Sequence, residues 1–283
     1  MHDALGIDGG GCFGFAPAEV LRRSARLRWD AYAGTSIGSV IVMALALGLV
    51  DRVNADWFKK WMPQVFAPPS VWRRLNPRAS QYDDAGLNMA LQAAFGVRKF
   101  SECQAPTFIT AVDVDRATLK VFDSTYPADG ALLAWEVCRR ATAAETYFPA
   151  WKGFADGGIL ANNPSMVLLA ACAKRLDWPL ATINLVSLGC GISAYEPTLD
   201  ISPSGELTTA AWCVDVLMHG CSDCMSEYFV SSLSPMLGNY LRVQFQRGAK
   251  DNGWRMDNPD VIELAEATWD KDIDAAALAV GKM

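Results

Sequence analysis

Residues 31–50 read AYAGTSIGSVIVMALALGLV, a short apolar run followed by a turn and a long apolar run. The turn is G-x-S-x-G, with Gly34 and Gly38 two residues on either side of Ser36. Between a strand and a helix, this pattern lifts the serine onto a tight, strained bend and exposes its hydroxyl. The start of the helix also favours an anion beside that hydroxyl. The stretch predicts a candidate nucleophile at Ser36, although a serine that only caps the helix is an alternative.

Short apolar runs alternate with helical stretches along the rest of the chain. Several runs are continuously apolar, which is typical of strands that are covered on both faces. The pattern predicts an α/β fold, a three-layer α/β/α sandwich with a mostly parallel central sheet. The predicted strands are Ala4–Asp8, Ala31–Gly34, Thr107–Val114, Lys120–Asp123, Thr182–Leu188 and Asn239–Gln246, and the predicted helices are 14–27, 37–50, 86–95, 131–144, 163–176 and 209–233.

Composition excludes several classes of protein. Half of the 283 residues are hydrophobic and a fifth are charged, which is an ordinary globular balance, and no linker or repeat divides the chain. We therefore expect a single domain over residues 1–283. A net charge of −6 argues against DNA or RNA polymers as partners. The longest apolar run, 40–50, is too short to span a bilayer, and no signal peptide pattern opens the chain, so a cytoplasmic location with reduced cysteines is expected.

One segment mixes aromatic and basic residues. Residues 56–78 read DWFKKWMPQVFAPPSVWRRLNPR, and such a mixture suits a membrane interface, because rings and cations both sit well at headgroup depth. In the alternative interpretation the segment is a cap in which Trp57 and Trp61, four residues apart, face the core. The sequence therefore predicts a cap or interfacial segment at 51–80.

A glycine loop, IDGGGCFG at 7–14, follows the first predicted strand. It contains G-x-G-x-x-G, the pattern of dinucleotide-binding turns. Such a turn needs an acid at the end of the second strand, and Asp30 lies at a suitable distance but begins that strand. No Gly-Lys-Ser or Gly-Lys-Thr occurs, which argues against a phosphate-binding P-loop. Nucleotide binding at this loop is therefore the weaker interpretation.

The same loop suits a serine enzyme better. If Ser36 attacks a carbonyl, the oxygen becomes negative and must be met by preorganised N–H donors. Successive glycines present backbone N–H groups with no side chain in the way. We therefore predict that Gly9, Gly10 and Gly11 stabilise a transient oxyanion.

The serine also needs a base. A Ser–Asp–His triad would have to use His219, because the other histidine, His2, is terminal. The alternative is Asp156 in FADGGI, where Gly157 and Gly158 would let a substrate approach. A partly desolvated carboxylate has a raised pKa and accepts a proton more readily. A plain Asp-Gly turn would leave Asp156 without a chemical role.

Four motifs together resemble the patatin-like phospholipase family: DGGGCFG (8–14), GTSIG (34–38), ATAAETYFPA (141–150) and DGGILANNP (156–164). The resemblance covers nearly the whole chain. It implies a patatin-like fold and a dyad without histidine, in which Ser36 is the nucleophile, Asp156 is the base and the three glycines form the oxyanion hole. It also implies hydrolysis of phospholipid acyl esters at a membrane surface through an acyl-enzyme, with no metal or cofactor.

Some bacterial members of this family are antiphage effectors that a cyclic oligonucleotide switches on, so the resemblance makes a cyclic di- or oligonucleotide activator an expected partner. Peripheral membrane association of the active protein follows from the expected substrate. Oligomeric state is left open. The alternatives are an esterase or thioesterase of soluble acyl substrates, and a catalytically inactive lipid- or nucleotide-binding member.

Two residues depart from the family pattern. Phe13 stands where members often carry Arg, and Glu145 where they often carry Pro. The first change removes a cation near the glycine loop and the second alters a turn, so a shifted substrate preference is expected. Neither change affects Ser36, Asp156 or the glycines.

Two other clusters carry weaker predictions. Cys221 and Cys224, near His219 and Cys213, could suggest zinc, but a single C-x-x-C favours structural cysteines. The basic run Arg22, Arg23, Arg26 and Arg28 is either a solvated helix face or a site that recognises phosphates.

Overall fold

In the computed structural model the described residues form a seven-stranded sheet, in the order β4-β3-β2-β1-β6-β8, with β5 beside β3. The structure describes residues 1–76, 79–193, 224–248 and 255–283. The strands are β1 (His2–Ile7), β2 (Ala31–Thr35), β3 (Thr107–Asp113), β4 (Thr118–Asp123), β5 (Phe154–Asp156), β6 (Ile183–Leu188) and β8 (Asn239–Val243), with β7 (Ile192–Ser193) and β9 (Gln246–Arg247) forming a separate pair.

The helices are α1 (Phe15–Ser24), α2 (Ile37–Ala46), α3 (Ala55–Val65), α4 (Val71–Leu75), α5 (Ala85–Phe95), α6 (Pro127–Gly130), α7 (Ala134–Ala141), α8 (Gly158–Ala161), α9 (Ser165–Arg175), α10 (Met225–Leu233) and α11 (Val261–Gly281). Among the described residues, no helix has the length and apolar character needed to cross a membrane.

The sheet is mostly parallel. Strand β1 lies between β2 and β6 and is parallel to both, and the pairs β2–β3 and β6–β8 are also parallel. Among the sheet strands of the described residues, only β4 and β5 run antiparallel, and both pair with β3. The carboxyl ends of β1, β2 and β6 therefore meet at one edge of the sheet, where ligand sites of such folds are usually found.

Helices cover both faces of the sheet. Successive residues of a strand point to opposite faces, and Ala4 and Leu5 accordingly belong to different buried clusters. The larger cluster includes α1, α2, α5, α7 and α11, and the smaller includes α9 and α10. All ten residues of α2 are buried, which explains its uninterrupted apolar sequence. The predicted α/β sandwich with a mostly parallel sheet is confirmed.

Several predicted elements differ from the observed ones. The predicted turn at Asp156-Gly157 is preceded by the short strand β5 over residues 154–156, which was not predicted; it forms because β3 offers an edge beyond the end of β2. The predicted helix 37–50 ends at Ala46, just before Gly48 with its positive φ of 68°. Most of the predicted helix 209–233 lies outside the described residues, and its end is α10.

The aromatic segment contains helix α3, which the sequence pattern did not define. Asn54 caps it by accepting a hydrogen bond from the Trp57 amide at 3.0 Å. Trp57 is buried, Trp61 is half-buried against the core, and Lys59 and Lys60 are exposed.

Candidate active site

Ser36 lies on a sharp bend between β2 and α2. Its φ of 51° and ψ of −126° are unusual for a residue with a side chain, so the backbone is strained at this point. The neighbouring glycines allow the bend, because a Cβ at Gly34 would lie 2.6 Å from the Gly38 carbonyl oxygen. A Cβ at Gly38 would collide with the carbonyl oxygen of Ile7 at the end of β1. The geometry is that of a nucleophile elbow.

Asp156 lies beside this bend because both residues use the same edge of β3. Strand β2 pairs with β3 as far as Thr35 opposite Thr110, and the next residue of β3, Ala111, faces Asp156. Ser36 follows Thr35 directly. Two residues 120 positions apart in the sequence are thereby neighbours along one strand edge.

The Asp156 carboxylate is buried and only partly satisfied. Its Oδ1 accepts a hydrogen bond from the Gly158 amide at 2.8 Å, whereas Oδ2 has no hydrogen-bond partner among the described residues. Burial raises the pKa of Asp156 to about 6, and the nearby Ser36 hydroxyl and the Gly158 amide act against that rise. No hydrogen bond of ordinary geometry joins Ser36 to Asp156, and such bonds often tighten only when substrate binds. The carboxylate is suited to accept a proton near neutral pH.

The Asp156 turn is packed too tightly to hold larger residues. A Cβ at Gly157 would collide with the hydroxyl oxygen of Thr110, and that hydroxyl lies 2.6 Å from the one on Thr35. The Thr35 hydroxyl also donates to the Ala161 carbonyl at 2.6 Å. These contacts hold the Asp156 turn and the Ser36 bend to the same strand ends.

The three glycines of the loop differ in their backbone hydrogen bonds. The Gly9 amide donates to the Asn162 carbonyl at 3.1 Å, so it is already used in this structure. Within the described ranges, no backbone or side-chain acceptor takes the amides of Gly10 and Gly11. Gly9 therefore serves as a close-approach point, with Ser36 Cβ 3.1 Å from where its own Cβ would lie. Two N–H groups remain for an oxyanion.

Two ion pairs and one backbone bond hold the loop in place. Asp8 is buried at the end of β1 and receives hydrogen bonds from Arg242 at 3.0 and 2.6 Å. On the other side, the Met256 carbonyl accepts from the Cys12 amide at 2.8 Å. A Cβ at Gly11, whose φ is +57°, would collide with that same carbonyl oxygen. A second buried carboxylate, Asp257, pairs with Arg255 beside Met256.

An apolar cavity of about 60 Å³, here called the Ser36 cavity, opens beside the serine. Gly11 and Ser36 form its polar end. Its apolar walls come mainly from α2, α3, α5 and the turn after α7, and they include Val40, Trp57, Met62, Val65, Phe66, Leu87, Leu91, Tyr147, Phe148 and Met256. The cavity therefore offers apolar contacts to a molecule whose polar end lies at Ser36.

Sequence reasoning noted Glu145 only as a departure from the family pattern, but the structure places it in the electrostatics of the site. Its Oε2 is buried without a hydrogen-bond partner among the described residues. Burial, followed by the charge of Asp156, raises the pKa of Glu145 to about 8. Glu145 is thus mainly protonated at neutral pH, next to the carboxylate that must be ionised to act as a base.

The other departure, Phe13, lies against a cation that comes from a different element. The Arg247 guanidinium lies 3.9 Å from the centroid of the Phe13 ring. A Cβ at Gly10 would be 3.3 Å from Arg247 Nη2. A cation therefore stands beside the glycine loop although position 13 is aromatic, and only the packing of β9 against the loop reveals it.

The remaining sequence predictions fare differently. Asp30 accepts a hydrogen bond from the Asp3 amide at the amino end of the sheet, opposite the glycine loop, so the geometry does not favour a dinucleotide site. Three of the four arginines in the basic run 22–28 are paired with acids: Arg22 with Glu19, Arg23 with Asp270 and Asp274, and Arg26 with Asp3. His219, Cys213 and Cys221 lie outside the described residues. No cluster of metal-ligand type occurs in the described part of the chain.

Comparisons with known proteins agree with the motifs. A family model of patatin-like phospholipases matches residues 5–169. The chain is 25% identical over 236 residues to a cGAMP-activated phospholipase of Vibrio cholerae, covering 71% of this chain and 66% of that protein. It is 26% identical over 306 residues to patatin-like protein 2 of Arabidopsis thaliana, covering 85% of this chain and 74% of that protein.

A crystal structure of VipD from Legionella pneumophila aligns over 94% of this chain and 67% of its own length, at 10% identity and a TM-score of 0.44, a likeness too weak to support an argument. The family match covers more than half of the chain and includes the Ser36 bend, the glycine loop and the Asp156 turn. The chain belongs to the patatin-like phospholipase family, whose members are lipid acyl hydrolases.

Proposed function

We propose that this protein is a serine acyl hydrolase of the phospholipase A type, which cleaves acyl ester bonds of membrane glycerophospholipids through a Ser36–Asp156 dyad. The observation that carries the proposal is the position of Asp156 on the edge of β3 beside Ser36, with a buried carboxylate oxygen that has no partner among the described residues. A desolvated carboxylate with a pKa of about 6 is ionised at neutral pH and can take a proton from the serine.

The proposed reaction has two halves. Ser36 Oγ attacks the ester carbonyl carbon while Asp156 takes the hydroxyl proton, and the Gly10 and Gly11 amides stabilise the oxyanion. The intermediate expels the glycerol oxygen, which receives the proton from Asp156 and leaves as a lysophospholipid. Water then gives a proton to Asp156 and attacks the acyl group on Ser36. The fatty acid leaves and Ser36 regains its proton from Asp156.

The size of the Ser36 cavity bears on the substrate. About 60 Å³ is far below the roughly 300–1,000 Å³ of typical ligand pockets, so a long acyl chain requires the walls to move apart. The walls that would move include Trp57, Met62 and Val65 of α3, within the proposed cap or interfacial segment 51–80. The small cavity equally favours the second candidate function, hydrolysis of short soluble esters or thioesters.

Fatty-acid release separates these functions. We expect the purified protein to release long-chain fatty acid from phospholipid vesicles, and Ser36→Ala and Asp156→Asn each to lower the rate by about 10³-fold or more. Ser232→Ala, on the exposed face of α10, is the matched control. Full activity of Ser36→Ala would refute the dyad. Turnover of a short-chain ester with no release from vesicles would assign the protein to soluble esters.

A cyclic nucleotide activator is a further part of the proposal. It rests on the name of the Vibrio cholerae relative and of a second, from Escherichia coli, which is 26% identical over 240 residues. Arg22, Arg23 and Arg26 are paired with acids and give no support for a binding site there. Adding cGAMP to the vesicle assay tests this part, and an unchanged rate would contradict it. Activation would be consistent with an antiviral role.

A further inference from the structure

A second cavity lies behind the aromatic wall of the Ser36 cavity. This space, here called the Arg255 cleft, has a volume of about 600 Å³, within the range of small-molecule sites. It is lined by Phe66, Pro68, Pro69, Gln81, Tyr82, Arg255, Asp257 and Asn258. Its charged lining residues are one arginine and one aspartate.

The two cavities are separated by one layer of rings. Phe66 lines both, and its ring centroid is 5.3 Å from that of Tyr82 in the cleft and 5.8 Å from that of Phe148 in the Ser36 cavity. Tyr82 and Tyr147 stack at 6.3 Å across the same boundary. Met256 lines the Ser36 cavity, while its chain neighbours Arg255 and Asp257 line the cleft. One layer of aromatic rings therefore separates the cleft from a molecule that reacts at Ser36.

The charges of the cleft are ordered from its floor to its mouth. The Asp257 side chain is 3% exposed, whereas that of Arg255 is 60% exposed. Asp257 accepts hydrogen bonds from Arg255 Nε at 3.0 Å, Arg255 Nη2 at 2.9 Å and the Tyr82 hydroxyl at 2.7 Å. The buried carboxylate holds the guanidinium in one orientation and presents its positive charge outward. Arg255 is thus a fixed cation at the mouth of the cleft.

The guanidinium keeps a free edge. Of its five N–H groups, two are donated to Asp257, so three remain without a partner among the described residues. These three lie on Nη1 and on the outer side of Nη2, the end-on edge that binds phosphate oxygens bidentately. The ammonium of a lysine could not present two parallel N–H groups in this way.

We propose that the Arg255 cleft binds the phosphate of the phospholipid headgroup while the acyl ester lies at Ser36. The inference rests on the proposed phospholipase function and deepens it by naming a headgroup site. The cation, its anchored orientation, its free edge and its position one ring from the Ser36 cavity are what a phosphodiester attached to the reacting glycerol requires.

The test compares two lipids that differ in the headgroup. Phosphatidylglycerol and diacylglycerol with the same acyl chains are presented in the same detergent micelles. We expect Arg255→Gln to lower kcat/KM for phosphatidylglycerol by about tenfold or more, mainly through KM, because a charge-assisted hydrogen bond is lost. On diacylglycerol the loss should be much smaller. Arg116→Gln, an exposed arginine in the β3–β4 turn, is the control for surface charge.

Other outcomes separate the possible failures. An equal loss on both lipids would mean that Arg255 only supports Asp257 and would overturn the headgroup site, as would no loss on either. If Arg255→Gln does not fold, Arg255→Lys, which keeps the charge without the fork, gives the same comparison. A wild-type protein that is inactive on both lipids, with and without cGAMP, would refute the proposed function itself.

Soluble competitors identify the source of the phosphate. We expect glycerophosphoglycerol to compete with phosphatidylglycerol in the wild-type protein and to lose that effect in Arg255→Gln. Stronger competition by inorganic phosphate than by glycerophosphoglycerol would assign the cleft to free phosphate and overturn the headgroup proposal.

Discussion

The Ser36 cavity and the Arg255 cleft lie on two sides of the same aromatic layer, and the carboxylate beside Ser36 differs from the carboxylate in the cleft in its hydrogen bonding. Asp156 is buried with one oxygen that lacks a partner in the described structure, while Asp257 accepts four hydrogen bonds from Gln81, Tyr82 and Arg255. An unsatisfied, desolvated carboxylate gains by taking a proton. Asp257, held by four hydrogen bonds, instead fixes the orientation of the side chains that donate to it. The first arrangement suits chemistry and the second suits recognition.

The largest effect is expected from a change at the contact between Gly11 and the Met256 carbonyl, which joins the Ser36 cavity to the segment that carries Arg255 and Asp257. Gly11→Ala would drive its new Cβ into the Met256 carbonyl at a position where φ is +57°. The loop must shift, and we expect kcat to fall by about 10²–10³-fold, the usual effect of losing an oxyanion donor. Initial rates on a short-chain ester measure this effect.

A matched control separates the collision from backbone strain. Gly96 has a similar φ of +55° but nothing within 4 Å of where a Cβ would lie. Gly96→Ala should leave the rate close to that of the wild-type protein. Comparable losses in both variants would show that general destabilisation, and not the Met256 contact, explains the effect.

The pH profile sharpens the comparison from the Ser36 side. Asp156 must be ionised to accept a proton, so activity should fall as the pH drops through about 6. Above about pH 8 Glu145 ionises, and a second negative charge opposes the oxyanion, so activity should fall again. In Glu145→Gln the alkaline decline should disappear and the acid limb should stay. Log kcat/KM measured from pH 5 to 10 provides the test.

The raised pKa of Glu145 should also make the free energy of unfolding depend on pH. The folded protein keeps Glu145 protonated between its ordinary pKa of 4.5 and about 8, where the unfolded chain has released that proton. The free energy of unfolding of the wild type, relative to Glu145→Gln, should therefore fall as the pH rises through that interval. Glu102→Gln, at an exposed site, is the control. In the pH–rate profile, a decline of kcat/KM above about pH 8 that persists in Glu145→Gln would rule out ionisation of Glu145 as its cause.

The smallest effect is expected from a substitution in the Arg255 cleft. Tyr82→Phe removes the hydroxyl that donates to Asp257 at 2.7 Å but leaves both Arg255 bonds in place. We expect a loss of about 1–2 kcal/mol in the free energy of unfolding, measured in urea. Tyr126→Phe, at a half-exposed ring, should change it by less than about 0.5 kcal/mol. Equal losses in the two variants would mean that the Asp257 network does not stabilise the cleft.

Much of the fold and of the candidate site could be predicted from sequence because local rules apply there. The β2–Ser36–α2 turn is encoded by two glycines and two apolar runs, and the structure has the strand and helix where those runs lie. Strand β5 could not be predicted, because three residues form a strand only when a neighbouring edge is free. The burial of Glu145 and the cation beside Phe13 depend on residues distant in the chain, so no local pattern could reveal them.

The amino-acid sequence by itself determined the α/β class, the strained serine turn, the glycine loop and the acidic turn at Asp156, because each follows from backbone preferences and hydrophobic periodicity within a few residues. Only the tertiary structure decided that the Gly9 amide donates to the Asn162 carbonyl and that Asp156 lies along the β3 edge beside Ser36. It also decided that the cleft with Arg255 is separated from the Ser36 cavity by one layer of rings. The reason is physical: hydrogen-bond partners, desolvation and the spacing of cavities are set by segments that meet only when the sheet and its covering helices assemble.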